Sequence, residues 1–281
     1  MNAAATAAPD GAEAQRPTAL ALARRFVALL VLAFLALQLW FAARIALMIV
    51  VDPQSTAFQR SEMWRLAVER HGIDWSQDWR GTDRIADTLK RAVIASEDAG
   101  FADHNGVEWE ALEKAWEKNL RAESRAEQAN QRLRQRAAAA LASRRRASSS
   151  RTPPQPAEPK VVGGSTITQQ LAKNLFLSGE RTFVRKGQEF VLTFWLEALL
   201  DKRRILEIYL NNVEWGEGVF GAQAAARHYF HVDASQLGAM QAARLAVMLP
   251  APKRFEKRPG SAYVAGRAGT VMARMGAVET P

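Results

Sequence analysis

Two carboxylates, Glu97 and Asp98, stand together where an apolar-periodic run ends, and Phe101, His104 and Gly106 follow closely. A carboxylate fixed at the end of a helix can act as a general base or acid; the plainer reading is a solvated helix end. A second concentration of chemistry lies in Gly163 to Leu177, GGSTITQQLAKNLFL. Gly163 and Gly164 relax the backbone where a loop must turn, and Thr166 with Gln169 has the T-x-x-Q spacing of a capping box, so a helix opens there. At about 100° per residue, Ile167, Leu171, Ala172 and Leu175 fall on one side, and Thr166, Gln169, Gln170, Lys173 and Asn174 on the other. That polar side could offer amides and a cation to a ligand, or face water as on any amphipathic helix. The third concentration is RKGQE, where Arg185 and Lys186 share a helical face with Glu189. It is either an intrahelical ion pair or a cationic seat for an anion. The four histidines, His71, His104, His228 and His231, show no metal-ligand spacing backed by carboxylates, and the absence of cysteine removes thiolate sites and disulfides.

The elements that must position these groups read as helices. Ile85, Leu89, Ala92 and Val93 recur at helical spacing between about Arg84 and Ser96, so this helix delivers Glu97 and Asp98 at its end. Another helix is expected over Trp109 to Leu120. A long apolar-periodic region from Phe183 to about Asn211 carries the RKGQE run. Gly216, Gly218 and Gly221 then mark a loop. AQAAARHYF and LGAMQAARLAVMLPAP read as two more helices, the second ended by Pro250 and Pro252. No run alternates strongly enough to demand an extended sheet, so the expected class is mainly α.

The 281 residues, 48% hydrophobic, provide ample core for one large domain or two small ones. Residues 1–25 are Ala-rich and polar and read as a disordered tail. Residues 26–51 are apolar, interrupted by Arg44, and long enough to span a bilayer. A cleaved signal peptide would be shorter and would end in small residues, whereas this run ends in Met48, Ile49 and Val50. Arg16, Arg24 and Arg25 precede the span, which places the N-terminus in the cytoplasm and residues 52–281 outside it. Trp64, Trp75 and Trp79 fit either interface anchoring or ordinary packing. The net charge of +9 favours an anionic partner: nucleic acid, a membrane surface or a phosphorylated substrate. Most of the excess sits between Arg121 and Lys160. There, residues 121–142 favour helix but have little to bury, and RRRASSSRTPPQPAEPK is low-complexity. This segment reads as an insertion, either a solvated linker or an adhesive for anionic lipid. The extracytoplasmic placement argues against nucleic acid.

Taken in order, EDAGFADHNG, GGSTITQQLAKN, RKGQE, ILEIYLNNVEWG and GAQAAARHYF resemble the motifs of glycosyltransferase family 51, the transglycosylase domain of bacterial peptidoglycan synthases. The resemblance covers about residues 84 to 255, and the insertion at about 121–160 departs from it. No S-x-x-K followed by K-T-G is present, which excludes a penicillin-binding transpeptidase domain. The resemblance implies a monofunctional, lysozyme-like, membrane-anchored enzyme of the bacterial inner membrane with its catalytic domain in the periplasm. Its substrates would be lipid II and the growing glycan strand, joined β-1,4 with inversion. Membrane lipids and other cell-wall synthesis proteins are the implied partners.

By matching positions, the resemblance makes Glu97 the base for the acceptor hydroxyl and Glu189 the second carboxylate. Lys173, Arg185 and Lys186 would bind the donor pyrophosphate. Gln170 and Asn174 would contact sugar or phosphate oxygens, with Thr166 on the same polar side; Asp98, Phe101 and His104 would shape the site. Pyrophosphate is already a good leaving group, so neutralising its charge matters more than protonating it. No cofactor is required, and Mg2+ or Mn2+ at the pyrophosphate is compatible with the chemistry. Two alternatives are a lytic, lysozyme-type enzyme with Glu97 as general acid, and a non-enzymatic membrane scaffold that uses the basic insertion.

Overall fold

A computed structural model describes residues 18–143, 164–177 and 182–281. Residues 1–17 of the expected tail, Gly163 and the stretch from Arg144 to Lys160 lie outside the described residues. The chain divides into two compact units, Met1–Arg44 and Ile45–Pro281.

Helix α1, Ala19–Leu47, contains an 18-residue stretch of mean hydropathy 2.5 and is the one helix among the described residues long and apolar enough to cross a membrane. In the second unit, α2 is Ala57–Glu69, α3 Asp87–Glu97 and α4 Trp109–Ser143. Then come α5, Ile167–Phe176, α6, Phe183–Leu199, and α7, Lys202–Asn212. The last four are α8, Ala222–Phe230, α9, Ala239–Met248, α10, Pro252–Phe255, and α11, Ala262–Arg274. Three short strands, β1 Ser76–Gln77, β2 Glu214–Gly216 and β3 Val219–Phe220, form a small sheet in the order β1-β3-β2. β1 runs parallel to β3, and β2 antiparallel with a bulge. Gly218, at φ +74, makes the turn between β2 and β3. A Cβ there would meet the Asp74 carbonyl oxygen at 2.0 Å, so only glycine fits.

The core has two layers that meet at the end of α3. Leu89, Ala92, Val93 and Ile94 are buried where α3 packs on α9 and α11. α5 lies against α2, α6 and α7, and its Ile167, Leu171, Ala172 and Leu175 are buried, the side that the periodicity predicts. Each large side chain so buried contributes about 2 kcal/mol of gross stabilisation.

Two elements differ from the sequence expectation. Residues 121–142 continue the Trp109 helix without a break, giving α4 35 residues; alanine, arginine, glutamine and glutamate propagate a helix even where little is buried. Conversely, the region from Phe183 to Asn211 is two helices. Leu200 is extended, and the Asp201 carboxylate accepts from the Arg204 amide at 2.7 Å, starting α7 afresh. Of the three tryptophans, Trp75 stacks on Phe220 at 4.4 Å and Trp79 receives the Arg204 guanidinium at 5.7 Å, while Trp64 is exposed.

Candidate active site

Glu97 is the last residue of α3, half-buried, and its carboxylate is gripped by neutral groups. Gln170 Nε2, from α5, donates to Glu97 Oε2 at 3.0 Å, and Ser96 Oγ lies 3.5 Å from Oε1. Burial pushes the Glu97 pKa above the usual carboxylate range. The neighbouring Asp98 charge adds to that, and the Gln170 and Ser96 hydrogen bonds partly oppose it.

Asp98 turns the other way and is spent on structure. It is buried; Oδ2 accepts from the Ile167 amide at 2.9 Å and Oδ1 faces His104 Nε2 at 2.7 Å. A carboxylate at the first amide of α5 is favoured by the positive end of that helix. His104 Nδ1 accepts from the Gly106 amide at 3.1 Å, which makes Nε2 the protonated nitrogen and the donor to Asp98. The Asp98 hydrogen bond raises the His104 pKa. The Gly106 N–H nevertheless fills the lone pair that a second proton would need, so the imidazole acts as a fixed strut.

Phe101 is fully buried, with Lys202 Nζ 4.6 Å from its ring centre. That ammonium also donates to the His104 carbonyl at 2.6 Å and to Glu197 at 2.8 Å. Gly106, at φ +81, crosses α6 so closely that a Cβ would lie 2.6 Å from Thr193 Cγ2. The loop that follows Glu97 is therefore bolted to α5, α6 and α7 together.

The capping box of α5 forms as the spacing predicts: the Gln169 amide donates to Thr166 Oγ1 at 3.2 Å, and the Thr166 amide donates to Gln169 Oε1 at 3.1 Å. One consequence corrects the expected polar side. Thr166 and Gln169 are buried, and the Thr166 hydroxyl also donates to the Gly106 carbonyl at 2.6 Å. A box that closes on itself leaves Thr166 nothing to offer a substrate. The accessible side of α5 narrows to Gln170, Lys173 and Asn174, of which Lys173 is exposed.

On α6, Glu189 is buried between two cations. Arg185 Nη1 donates to Oε2 at 3.0 Å, and Lys186 Nζ bonds Oε1. Arg185 Nε is buried without a hydrogen-bond partner. Lys186 also lies over Phe190 at 5.1 Å, and Phe190 is parallel to Trp109 at 6.4 Å. Phe183 and Val184, at the start of α6, are almost wholly exposed. Among the described residues no group of three or more His, Asp or Glu is placed to hold a metal ion.

This arrangement sets a carboxylate bonded to neutral partners beside a helix carrying a cation, and puts a second carboxylate within a cationic cluster. The family model for transglycosylases matches residues 67–152 and 155–276, which is most of the chain. The chain belongs to the transglycosylase family. Its helical domain is lysozyme-like. Curated relatives carry the description biosynthetic peptidoglycan transglycosylase. The protein of Burkholderia pseudomallei (strain K96243) is 51% identical over 249 residues, covering 89% of this chain and 84% of the relative. That of Paraburkholderia phytofirmans (strain DSM 17436 / LMG 22146 / PsJN) is 46% identical over 255 residues, covering 90% and 91%. That of Burkholderia thailandensis (strain ATCC 700388 / DSM 13276 / CCUG 48851 / CIP 106301 / E264) is 49% identical, covering 89% and 84%.

Three residues that the structure brings to this candidate site are not singled out by the sequence. Tyr209, buried on α7, donates its hydroxyl to Gln170 Oε1 at 2.9 Å. Glu197 accepts from Thr168 Oγ1 at 2.6 Å and from Lys202. A tyrosine on the apolar side of ILEIYLNN was the available signal, because a buried phenol needs a partner. Glu197 and Lys202 flank the α6–α7 break and become visible only once that break is known.

Proposed function

We propose that this transglycosylase polymerises lipid II in one inverting displacement, with Glu97 as the base. The enzyme is a peptidoglycan glycosyltransferase. Ionised Glu97 takes the proton of the acceptor 4-hydroxyl as that oxygen bonds the donor anomeric carbon. The bond from that carbon to the polyprenyl pyrophosphate breaks on the opposite face, and the electron pair leaves with the pyrophosphate. Lys173, Arg185 and Lys186 supply the positive charge that receives it. Gln170 holds the base, Asn174 reaches the substrate oxygens, and Glu189 keeps the two α6 cations in place. A Mg2+ or Mn2+ ion at the donor pyrophosphate is compatible with this chemistry and is not required by it.

The observation that carries this reading is the contrast in partners: Glu97 is held by neutral donors, whereas Glu189 is enclosed by Arg185 and Lys186. The exposed Phe183 and Val184 suit the bilayer surface from which lipid II is drawn. Arg24 and Arg25, early in α1, support a cytoplasmic N-terminus and a periplasmic domain.

The test is polymerisation of lipid II by the full chain in detergent. Glu97→Gln should lose on the order of 10² to 10⁴ in rate. A folded Glu97→Gln enzyme that turns over at the wild-type rate would overturn the assignment. The raised pKa of Glu97 also suits the acid of a lytic enzyme, so purified cell wall is the second substrate to try. Release of soluble fragments without polymer would favour that reading.

A further inference from the structure

Gln170 is chemically ambiguous: its amide oxygen and nitrogen have nearly the same shape, yet only one end suits an ionised carboxylate. If the oxygen faced Glu97, acceptor would meet acceptor. Three contacts in the structure favour the productive orientation. Nε2 donates to Glu97 at 3.0 Å and reaches the Ser165 carbonyl at 3.5 Å, while Oε1 accepts from the Tyr209 hydroxyl at 2.9 Å. Tyr209 is 1% exposed and comes from α7, a different element from either partner.

We propose that Tyr209 is a positioning residue for the reaction: it fixes the Gln170 amide and, through it, presents the Glu97 carboxylate as a base. The proposal rests on the reading of Glu97 given above. A phenol suits this task because burial, with Glu97 and Asp98 nearby, raises its pKa well above 10, so it remains a donor at any working pH. The groups that act on the Glu97 titration come from each side. Burial and Asp98 raise its pKa, while Ser96 on α3 and Gln170 on α5 lower it. The Asp98 charge is itself committed to the Ile167 amide and His104. Tyr209 has no hydrogen bond to Glu97 among those described and acts through Gln170.

Removing the phenol oxygen frees the amide to turn and weakens the donor on ionised Glu97. The carboxylate then holds its proton to higher pH. The experiment is the pH dependence of kcat for lipid II polymerisation, measured for wild type, Tyr209→Phe, Gln170→Ala and the double variant, with thermal melts as the fold check. Tyr209→Phe should move the acid limb upward by about half to one pH unit with donor KM little changed. In the Gln170→Ala background it should add no further shift. An unmoved acid limb in folded Tyr209→Phe, or a full shift persisting without Gln170, would overturn the proposal. If Tyr209→Phe does not fold, site-specific 3-fluorotyrosine at this position keeps the shape and strengthens the donor. It must move the limb downward, and an unmoved limb there overturns the proposal equally. Glu97→Gln separates the two levels: inactive Glu97→Gln with an unmoved Tyr209→Phe limb removes only the Tyr209 role, whereas wild-type turnover by Glu97→Gln removes the base itself.

Discussion

The two glutamates of this site occupy opposite electrostatic settings. Glu97 ends a helix whose neighbours offer it amide and hydroxyl hydrogens and one like charge, and its pKa rises. Glu189 lies deeper, yet its charge is met on each oxygen by a cation one helical turn back on its own helix. Under the proposed mechanism, the difference divides the work. A carboxylate that must accept a proton is poorly served by two tight cations, and a carboxylate that must organise cations needs them. Burial alone would rank Glu189 first; partner chemistry ranks Glu97 first.

The sharpest way to break the comparison is to neutralise the second carboxylate and compare it with Glu97→Gln, whose loss should fall on kcat. Glu189→Gln should instead raise the donor KM and lower kcat by less than about tenfold. It should also cost about 2 kcal/mol of stability, because Arg185 and Lys186 lose a countercharge in a partly screened setting. Steady-state kinetics with varied lipid II would show it, and equal kcat losses for the two variants would erase the distinction.

A third glutamate, buried outside the site, serves as a control. Glu214 on β2 has an oxygen without a hydrogen bond, although Lys253 Nζ lies 3.4 Å away; that ammonium is held more closely by Glu62. Burial first, opposed by Lys253, raises its pKa from 4.5 to about 7. Because the folded value is the higher one, its contribution to stability is full below about pH 4.5 and is lost as pH rises through about 7. Glu214→Gln cannot ionise. It should gain about 1–2 kcal/mol over wild type at pH 8 and nothing at pH 4, read by denaturant unfolding. A raised pKa outside the site would then be seen to tune stability rather than catalysis.

The smallest expected effect concerns Gly187, between Lys186 and Gln188 in α6, where a Cβ would meet nothing within 4 Å. Gly187→Ala should stabilise the domain by about 0.5–1 kcal/mol through helix propensity. A thermal melt measures that gain. A parallel rise in donor KM would show that the open space beside Gly187 is used by substrate.

Much of this was legible along the chain because it is local. The T-x-x-Q spacing gives the α5 cap, the 3.6-residue period gives its core side, and the Arg185–Glu189 spacing gives the ion pair. What was not legible depends on closure between distant elements. The inward turn of Thr166 needs Gly106 as its acceptor, and the tether on Gln170 needs Tyr209 from α7. The break at Leu200 was hidden because apolar residues continue at helical spacing across it, and only the Asp201 cap interrupts the backbone.

The contacts of Asp98 also couple two distant amides. Asp98 spends one oxygen on the Ile167 amide and the other on His104, whose far nitrogen accepts the Gly106 amide. Thr166 ties the same two segments a second time. Neither the loop nor the start of α5 can part from the other without stranding a buried polar group. The Ile167 and Gly106 amide hydrogens, far apart in sequence, should therefore exchange with solvent in one shared opening, and hydrogen–deuterium exchange that gave them unequal opening rates would refute the coupling.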